Sequence, residues 1–161
     1  MHRAAVIGSV ALTMLGAVLF GPGQAQQPQL FEQPLSRDHY IPRLGDIMGA
    51  MQLRHFKLWF AGKLGNWELA SYELAQMRSS FDDAATLYPG IPVADMTMMA
   101  EPVGWIGDAI KKKDVAAFTS AFEGMTAACN ACHHSIGRGF LVIQVPTSSP
   151  FSNQSFAPGT P

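Results

Sequence analysis

"DVAAFTSAFEGMTAACNACHHSIG", residues 114–137, contains both cysteines of the chain within one helical repeat. Apolar side chains recur at alternating intervals of three and four residues, a spacing that places them on one face of an α-helix. These side chains are Val115, Phe118, Phe122, Met125, Cys129, Cys132 and Ile136. Asp114 is a favourable N-cap, and Gly137 and Gly139 predict the end of the helix. The two cysteines are therefore expected on the apolar face, close to the helix C-terminus.

Three further helices are predicted upstream from the same periodicity. They run from Pro42 to Gly65, from Asn66 to about residue 88, and from about residue 101 to residue 112. Four amphipathic helices with mostly short connections predict an all-α fold, an antiparallel four-helix bundle over residues 42–138.

The first 25 residues have the parts of an export signal. Arg3 supplies a positive charge, residues 4–20 supply an apolar stretch, and Gly23 and Ala25 are the small residues of a cleavage site. The apolar stretch is short for a membrane span and is followed at once by helix-breaking residues. We therefore expect an exported protein whose signal peptide, residues 1–25, is cleaved near Ala25.

Two segments flank the predicted bundle. Residues 26–41 contain prolines and no periodic apolar pattern, so we expect an extended leader. The tail, residues 139–161, opens with an apolar run and then becomes rich in Pro and Ser. Its first half is expected to pack along the bundle, and its last residues are expected to be loose.

Charge and composition exclude several classes of function. Without residues 1–25, ten Lys and Arg stand against twelve Asp and Glu, a net charge of −2. No basic patch suits nucleic acid, and no later apolar run is long enough for stable membrane insertion. The sequence shows neither a pair of carboxylates nor a Ser/His/Asp arrangement that would suggest a hydrolase. We therefore do not expect an enzyme.

The spacing of Cys129, Cys132 and His133 is that of a C-x-x-C-H motif. Residues three and four apart leave the same side of a helix. Two thiols can then bond to the vinyl groups of a haem while the imidazole binds its iron. The motif predicts one covalent haem c, with His133 as the proximal iron ligand and His134 turned away from it.

Other uses of two cysteines remain open. An exported thiol pair meets an oxidising compartment, so a redox disulfide is possible, although no strand precedes this helix as in thioredoxin-type sites. A zinc site needs four ligands, and His39, His55 and His134 lack the usual spacing. Free cysteines can also be plain core residues.

The position of the motif, at the C-terminal end of the fourth predicted helix, resembles that in the class II c-type cytochromes, the cytochrome c′ group and its low-spin relatives. The resemblance covers about residues 40–138, and "QLRHFKLWFAGKLGNWELASYEL" (52–74) is similar to small exported proteobacterial cytochromes of that kind. It implies a periplasmic monohaem protein acting in electron transfer with a redox partner protein, and often a homodimer through helices 1 and 2. The alternatives are a protein that binds NO or CO on an open iron and a thiol-disulfide protein without haem. The tail beyond Gly139 and the second histidine, His134, depart from the family pattern.

The sixth iron ligand must come from upstream, because no Met follows His133. In the low-spin class II proteins a methionine of helix 1 is the ligand, whereas the site of cytochrome c′ is open or shielded. The resemblance therefore implies Met48, with Met51 or His55 on the same stripe as alternatives. Propionates of a haem attract cations, and the candidates are Arg43, Arg54 and Arg138.

Overall fold

A computed structural model describes residues 40–159, and these residues form five α-helices and no β-strand. The helices are α1 (Leu44–Lys63), α2 (Trp67–Leu87), α3 (Val93–Thr97), α4 (Ala100–Lys112) and α5 (Val115–Ser135). The all-α fold class predicted from the sequence is therefore confirmed. The predicted signal peptide, the leader up to residue 39 and residues 160–161 of the tail lie outside the described residues. None of the five helices is both long enough and apolar enough to cross a membrane.

Two helices have side-chain N-caps at the residues where the sequence predicts that they begin. The side chain of Asn66 accepts a hydrogen bond from the backbone N–H of Leu69 (3.1 Å) at the start of α2. The carboxylate of Asp114 does the same for Ala117 (3.0 Å) at the start of α5. Each cap satisfies one of the backbone donors that the first turn of a helix leaves without an intrahelical acceptor, so both helix starts are set by local sequence.

A glycine in the left-handed conformation ends both α1 and α5. Gly65 and Gly137 each have a φ of +72°, which costs glycine little because it has no Cβ. After Gly137, the N–H of Arg138 donates to the carbonyl of His133 (2.6 Å), which is the long bond of a Schellman motif. This turn directs the tail back along α5 and lets Arg138 line the same cavity as His133.

The four longer helices contact one another in sequence: α1 with α2, α2 with α4, α4 with α5, and α5 with α1. Arg54 of α1 forms a salt bridge with the buried Glu73 of α2 (3.3 Å). Arg78 of α2 donates to the carbonyl of Val103 in α4 (3.3 Å). The guanidinium of Arg78 also lies 2.9 Å from the place where Gly107 would carry a Cβ. Gly107 weakens α4 locally, but it leaves room for the arginine that joins α4 to α2.

Aromatic side chains fill the interior between α1 and α5. The ring of Phe118 lies against Gly62, in the space that a Cβ would need. Trp59 and Phe122 pack with their ring centroids 4.8 Å apart. The largest fully buried side chains are Phe118, Phe122, Leu58, Met77, Ile106 and Met125.

The short helix α3 lies between the predicted helices that end near residue 88 and begin near residue 101. Its five residues are too few to show a helical period, so pattern reading misses it. Asp95 of α3 is buried and accepts a hydrogen bond from the hydroxyl of Ser135 (2.7 Å). This bond ties the α2–α4 connection to the C-terminal end of α5.

The described part of the tail has no regular secondary structure, yet it packs against α1. Phe151 meets Phe56 edge to face, with ring centroids 6.5 Å apart. Phe156 packs on Phe60 at 5.8 Å and is itself buried. The tail therefore covers part of the outer surface of α1.

Candidate functional site

A cavity of about 600 Å³ opens beside α1, the C-terminal end of α5, the α2–α4 connection and the tail. This volume lies within the roughly 300–1,000 Å³ typical of small-molecule and cofactor sites. Most of its lining side chains are apolar. The lining residues are Leu44, Gly45, Met48, Gly49, Met51, Gln52 and His55 of α1; Met77 and Phe81 of α2; Gly90, Ile91, Met96 and Met99; Cys129, Cys132 and His133 of α5; and Ile136, Arg138, Leu141 and Ile143.

Cys129, Cys132 and His133 all line this cavity. They stand on the last two turns of α5, where spacings of three and four residues direct side chains to one face. Two thiols and an imidazole on one wall can hold a cofactor at three points. The structure thus places together the three residues that the motif singles out.

Burial makes both thiols less acidic. It raises the pKa of Cys129 to about 11, with the neighbouring Cys132 adding to the shift. The pKa of Cys132 is also raised, by burial and then by the carboxylate of Asp95. Redox-active cysteines have the opposite property, a lowered pKa that supplies thiolate at neutral pH. These two thiols are therefore poor nucleophiles in the chain by itself.

The ring of His133 is held by the tail. Its Nδ1 lies 2.9 Å from the backbone carbonyl oxygen of Leu141. A carbonyl can only accept a hydrogen bond, so Nδ1 carries the proton and donates. In the neutral ring, Nε2 then keeps its lone pair and can bind a metal ion. His133 is partly exposed, whereas His134 is exposed and is not part of the cavity wall.

His55 has the opposite tautomer. Its Nε2 lies 2.9 Å from the hydroxyl oxygen of Thr126, and that hydroxyl donates its single proton to the carbonyl of Phe122 (2.9 Å). Nε2 of His55 must therefore be the donor. His55 is only 3% exposed, and burial lowers its pKa to about 4, so the ring is neutral at physiological pH. Its Nε2 can bind a metal ion only if the bond to Thr126 is broken.

The part of the cavity wall on α1 combines methionines with two glycines. Met51 is 6% exposed and belongs to the hydrophobic core, whereas Met48 is only partly buried. A Cβ added to Gly45 or Gly49 would meet no atom within 4 Å, although both residues line the cavity. One turn of helix apart, the two glycines leave open space that can accept a flat group.

The three arginines proposed as cation partners are placed differently. Arg138 lines the cavity, whereas Arg43 and Arg54 are not among the lining residues. Arg43 precedes α1, where its backbone N–H donates to Asp46 (3.2 Å). Arg54 is engaged with Glu73, and its Nε is buried without a hydrogen-bond partner. Of the three arginines, only Arg138 lines the cavity, so it is the one that can offer its charge to a group bound there.

Several residues of the site were not predicted from the sequence. They are Gly45 and Gly49, Met96 from α3, and Leu141 of the tail. Met96 lines the cavity and is partly buried, like Met48. The Gly-x-x-x-Gly spacing at the start of α1 indicates a place where another group can approach the helix closely. Nothing in the sequence predicts that the carbonyl of Leu141 lies beside His133.

Within residues 40–159, no three His, Cys, Asp or Glu side chains come together as a group that can hold a metal ion by themselves. A metal carried by a cofactor needs fewer protein ligands, and one imidazole with a free lone pair is present at His133. Comparisons with protein families, with curated proteins and with solved structures give no match for this chain.

Proposed function

We propose that this protein is an exported monohaem c-type cytochrome of the class II group that acts in electron transfer. In this proposal, Cys129 and Cys132 hold the haem through thioether bonds and His133 is the proximal iron ligand. Met48 is the preferred sixth ligand. The redox partner is a protein of the periplasm.

The observation that carries the proposal is the hydrogen bond between Nδ1 of His133 and the carbonyl oxygen of Leu141. The hydrogen bond to Leu141 leaves Nε2 free on the same cavity wall as the two cysteines. Metal-binding histidines generally donate their other ring N–H to a carbonyl or carboxylate, which fixes the ring and raises its basicity. His55 lacks this arrangement, because its Nε2 proton is donated to Thr126.

The cavity suits a flat, largely apolar group. Its volume is about 600 Å³, its lining is mainly apolar, and Gly45 and Gly49 leave the α1 side open. Bound there, a haem would supply a one-electron redox couple. The residues of the chain would orient it, exclude water from one face, and place the charge of Arg138 nearby.

For the fold, we propose that α1, α2, α4 and α5 form an antiparallel four-helix bundle. Support comes from the contacts between successive helices and from their register. His55 meets Thr126, whereas Lys63, further along α1, meets Thr119, which comes earlier in α5. This reversed order indicates antiparallel neighbours.

A homodimer through α1 and α2 is part of the proposal as the family resemblance implies it. Leu53 of α1 and Tyr72 of α2 are exposed, at 46% and 56%. Such side chains are available for a partner surface, while the tail covers Phe60 of α1. Sedimentation of the mature protein tests this part of the proposal.

The first experiment tests covalent attachment. The full chain is expressed in a bacterium with periplasmic haem-attachment machinery, and the mass of the mature protein is measured. We expect the mass of the chain plus one haem, a pigment that survives acid-acetone extraction, and loss of both in Cys129→Ala/Cys132→Ala. A colourless wild-type protein, or a pigment that extracts, contradicts the proposal.

A second experiment compares the two adjacent histidines. His133→Ala is expected to abolish the wild-type axial ligation seen in the optical spectrum. His134→Ala is the matched control, because this ring is exposed and does not line the cavity. An altered spectrum in His134→Ala with an unchanged one in His133→Ala would show that the assignment of the proximal ligand is wrong.

A further inference from the structure

Asn130 lies between the two cysteines in the sequence, and its side chain forms two hydrogen bonds with one residue of the tail. Its Nδ2 donates to the carbonyl of Ile143 (2.8 Å), and its Oδ1 accepts from the N–H of the same residue (2.7 Å). Both backbone groups of Ile143 are therefore satisfied by one side chain of α5. Asparagine is a poor residue for a helix interior, because it competes for backbone hydrogen bonds. Here the side chain makes two long-range bonds instead.

The carbonyl that holds His133 belongs to the same short stretch of tail. The N–H of Leu141 donates to the carbonyl of Arg138 (2.8 Å), which closes a turn directly after α5. Two residues further on, Asn130 fixes Ile143. Leu141 is thus held on both sides, and its own carbonyl accepts from Nδ1 of His133 (2.9 Å). Residues 140–146 have no regular secondary structure, so these side-chain bonds fix their path.

From this geometry we infer that Asn130 is a positioning residue for His133. It acts through the tail: Asn130 fixes Ile143, Ile143 places the Leu141 carbonyl, and that carbonyl orients the imidazole. The inference rests on the proposed function, since it assigns to the tail the task of tuning the proximal ligand of a haem. Asn130, which lies inside the C-x-x-C spacing, thereby helps to orient the ring of His133.

The physical consequence concerns the basicity of the imidazole. An acceptor on Nδ1–H makes Nε2 a stronger electron donor, and a more electron-rich ligand favours the oxidised state of a metal. Loosening the Leu141 carbonyl should weaken this effect. The midpoint potential should then rise, and the Nδ1 proton of His133 should exchange with solvent more quickly.

The test uses the haem-carrying full chain and three variants. Asn130→Ala removes both hydrogen bonds to Ile143. Ile143→Pro removes the backbone N–H that donates to Oδ1 of Asn130. Asn66→Ala is the matched control, because it also deletes two asparagine hydrogen bonds, one of them to the tail carbonyl of Ala157. The readouts are the midpoint potential and the solvent exchange of the His133 Nδ1 proton, followed by NMR in the reduced protein.

We expect Asn130→Ala and Ile143→Pro to raise the midpoint potential and to speed the exchange by roughly 2- to 12-fold, the range that corresponds to one typical hydrogen bond. Asn66→Ala should leave both unchanged. Wild-type values in Asn130→Ala, or equal changes in all three variants, overturn the inference while the cytochrome assignment stands. A wild-type protein without covalent haem removes the proposed function and this inference with it.

Discussion

The ring of Phe118 in α5 lies directly against Gly62 in α1, in the space that any larger residue would need for its Cβ. Phe118 is fully buried, and its ring packs near Trp59, Trp67 and Phe122, with centroids 5.9–6.4 Å away. The ring cannot move aside without disturbing these neighbours. The close approach of α1 and α5 therefore depends on the absence of a side chain at position 62.

Gly62→Ala should lower the free energy of unfolding by about 1–3 kcal/mol, the usual cost of overpacking a core. Denaturant unfolding of the mature protein measures it. Gly124→Ala is the control, because a Cβ there meets no atom within 4 Å. It should raise stability by up to about 1 kcal/mol, as alanine favours the helix. A Gly62→Ala protein that is as stable as wild type would contradict the packing described here.

The lowered pKa of His55 predicts a loss of stability in mild acid. The unfolded chain binds a proton at His55 below pH 6.5, whereas the folded chain resists protonation down to about pH 4. Protonation therefore favours the unfolded state between these values, and stability rises with pH in this window. At pH 5 the contribution of His55 is a loss of roughly 2 kcal/mol relative to pH 7.

His55→Gln tests this dependence, since glutamine can still donate to Thr126 but does not titrate. Its unfolding free energy should fall less between pH 7 and pH 5 than that of wild type. Parallel pH profiles for the two proteins would show that another group, and not His55, causes any acid sensitivity.

Local signals in the sequence predict four of the five helices that the structure describes. The caps at Asn66 and Asp114 and the glycine after α5 each act within a few residues, so pattern reading finds them. The motif at Cys129 is equally local, because its geometry follows from one helix. These features depend on side-chain and backbone chemistry that a short window of sequence contains.

Specific contacts between side chains that are distant in sequence were not predicted. The stripe that indicates a helix face cannot show that Met51 belongs to the core while Met48 is left partly exposed, because both lie on the same face of α1. Glu73 was not expected in the interior, where it pairs with Arg54. The hold of the tail on His133 joins residues that no period relates.

Substitution of Gly49 tests whether the cavity is the site of the proposed haem. Gly49→Leu places a branched side chain into open space on the α1 wall, so it should reduce the yield of covalent haem while leaving the helix content intact. Haem per chain and far-UV circular dichroism measure the two effects. Gly104→Leu is the control, since a Cβ there also meets nothing within 4 Å but the residue does not line the cavity. Equal haem content in both variants would place the haem elsewhere.

In the proposed cytochrome, the sixth iron ligand should be a methionine whose side chain is free to reorient. Of the five methionines that line the cavity, Met51, Met77 and Met99 are packed in the core, and only Met48 and Met96 are partly buried. Met48 stands on α1, the helix that the family resemblance implies. If its sulfur binds the iron, the oxidised protein should be low-spin, because Met/His ligation gives a strong axial field and raises the potential.

Met48→Ala should then open the sixth position, turn the iron high-spin and allow rapid CO binding in the reduced form. Met51→Ala should keep the low-spin spectrum and lower the unfolding free energy by roughly 2–5 kcal/mol, because it leaves a core cavity. Optical spectra of both variants and of Met96→Ala decide between the candidates. A spin change in Met96→Ala alone would assign the ligand to α3, and one in His55→Gln alone would assign it to His55. A wild-type protein that is already high-spin and binds CO at once would favour gas binding over electron transfer, because the sixth position would then be open in the native state.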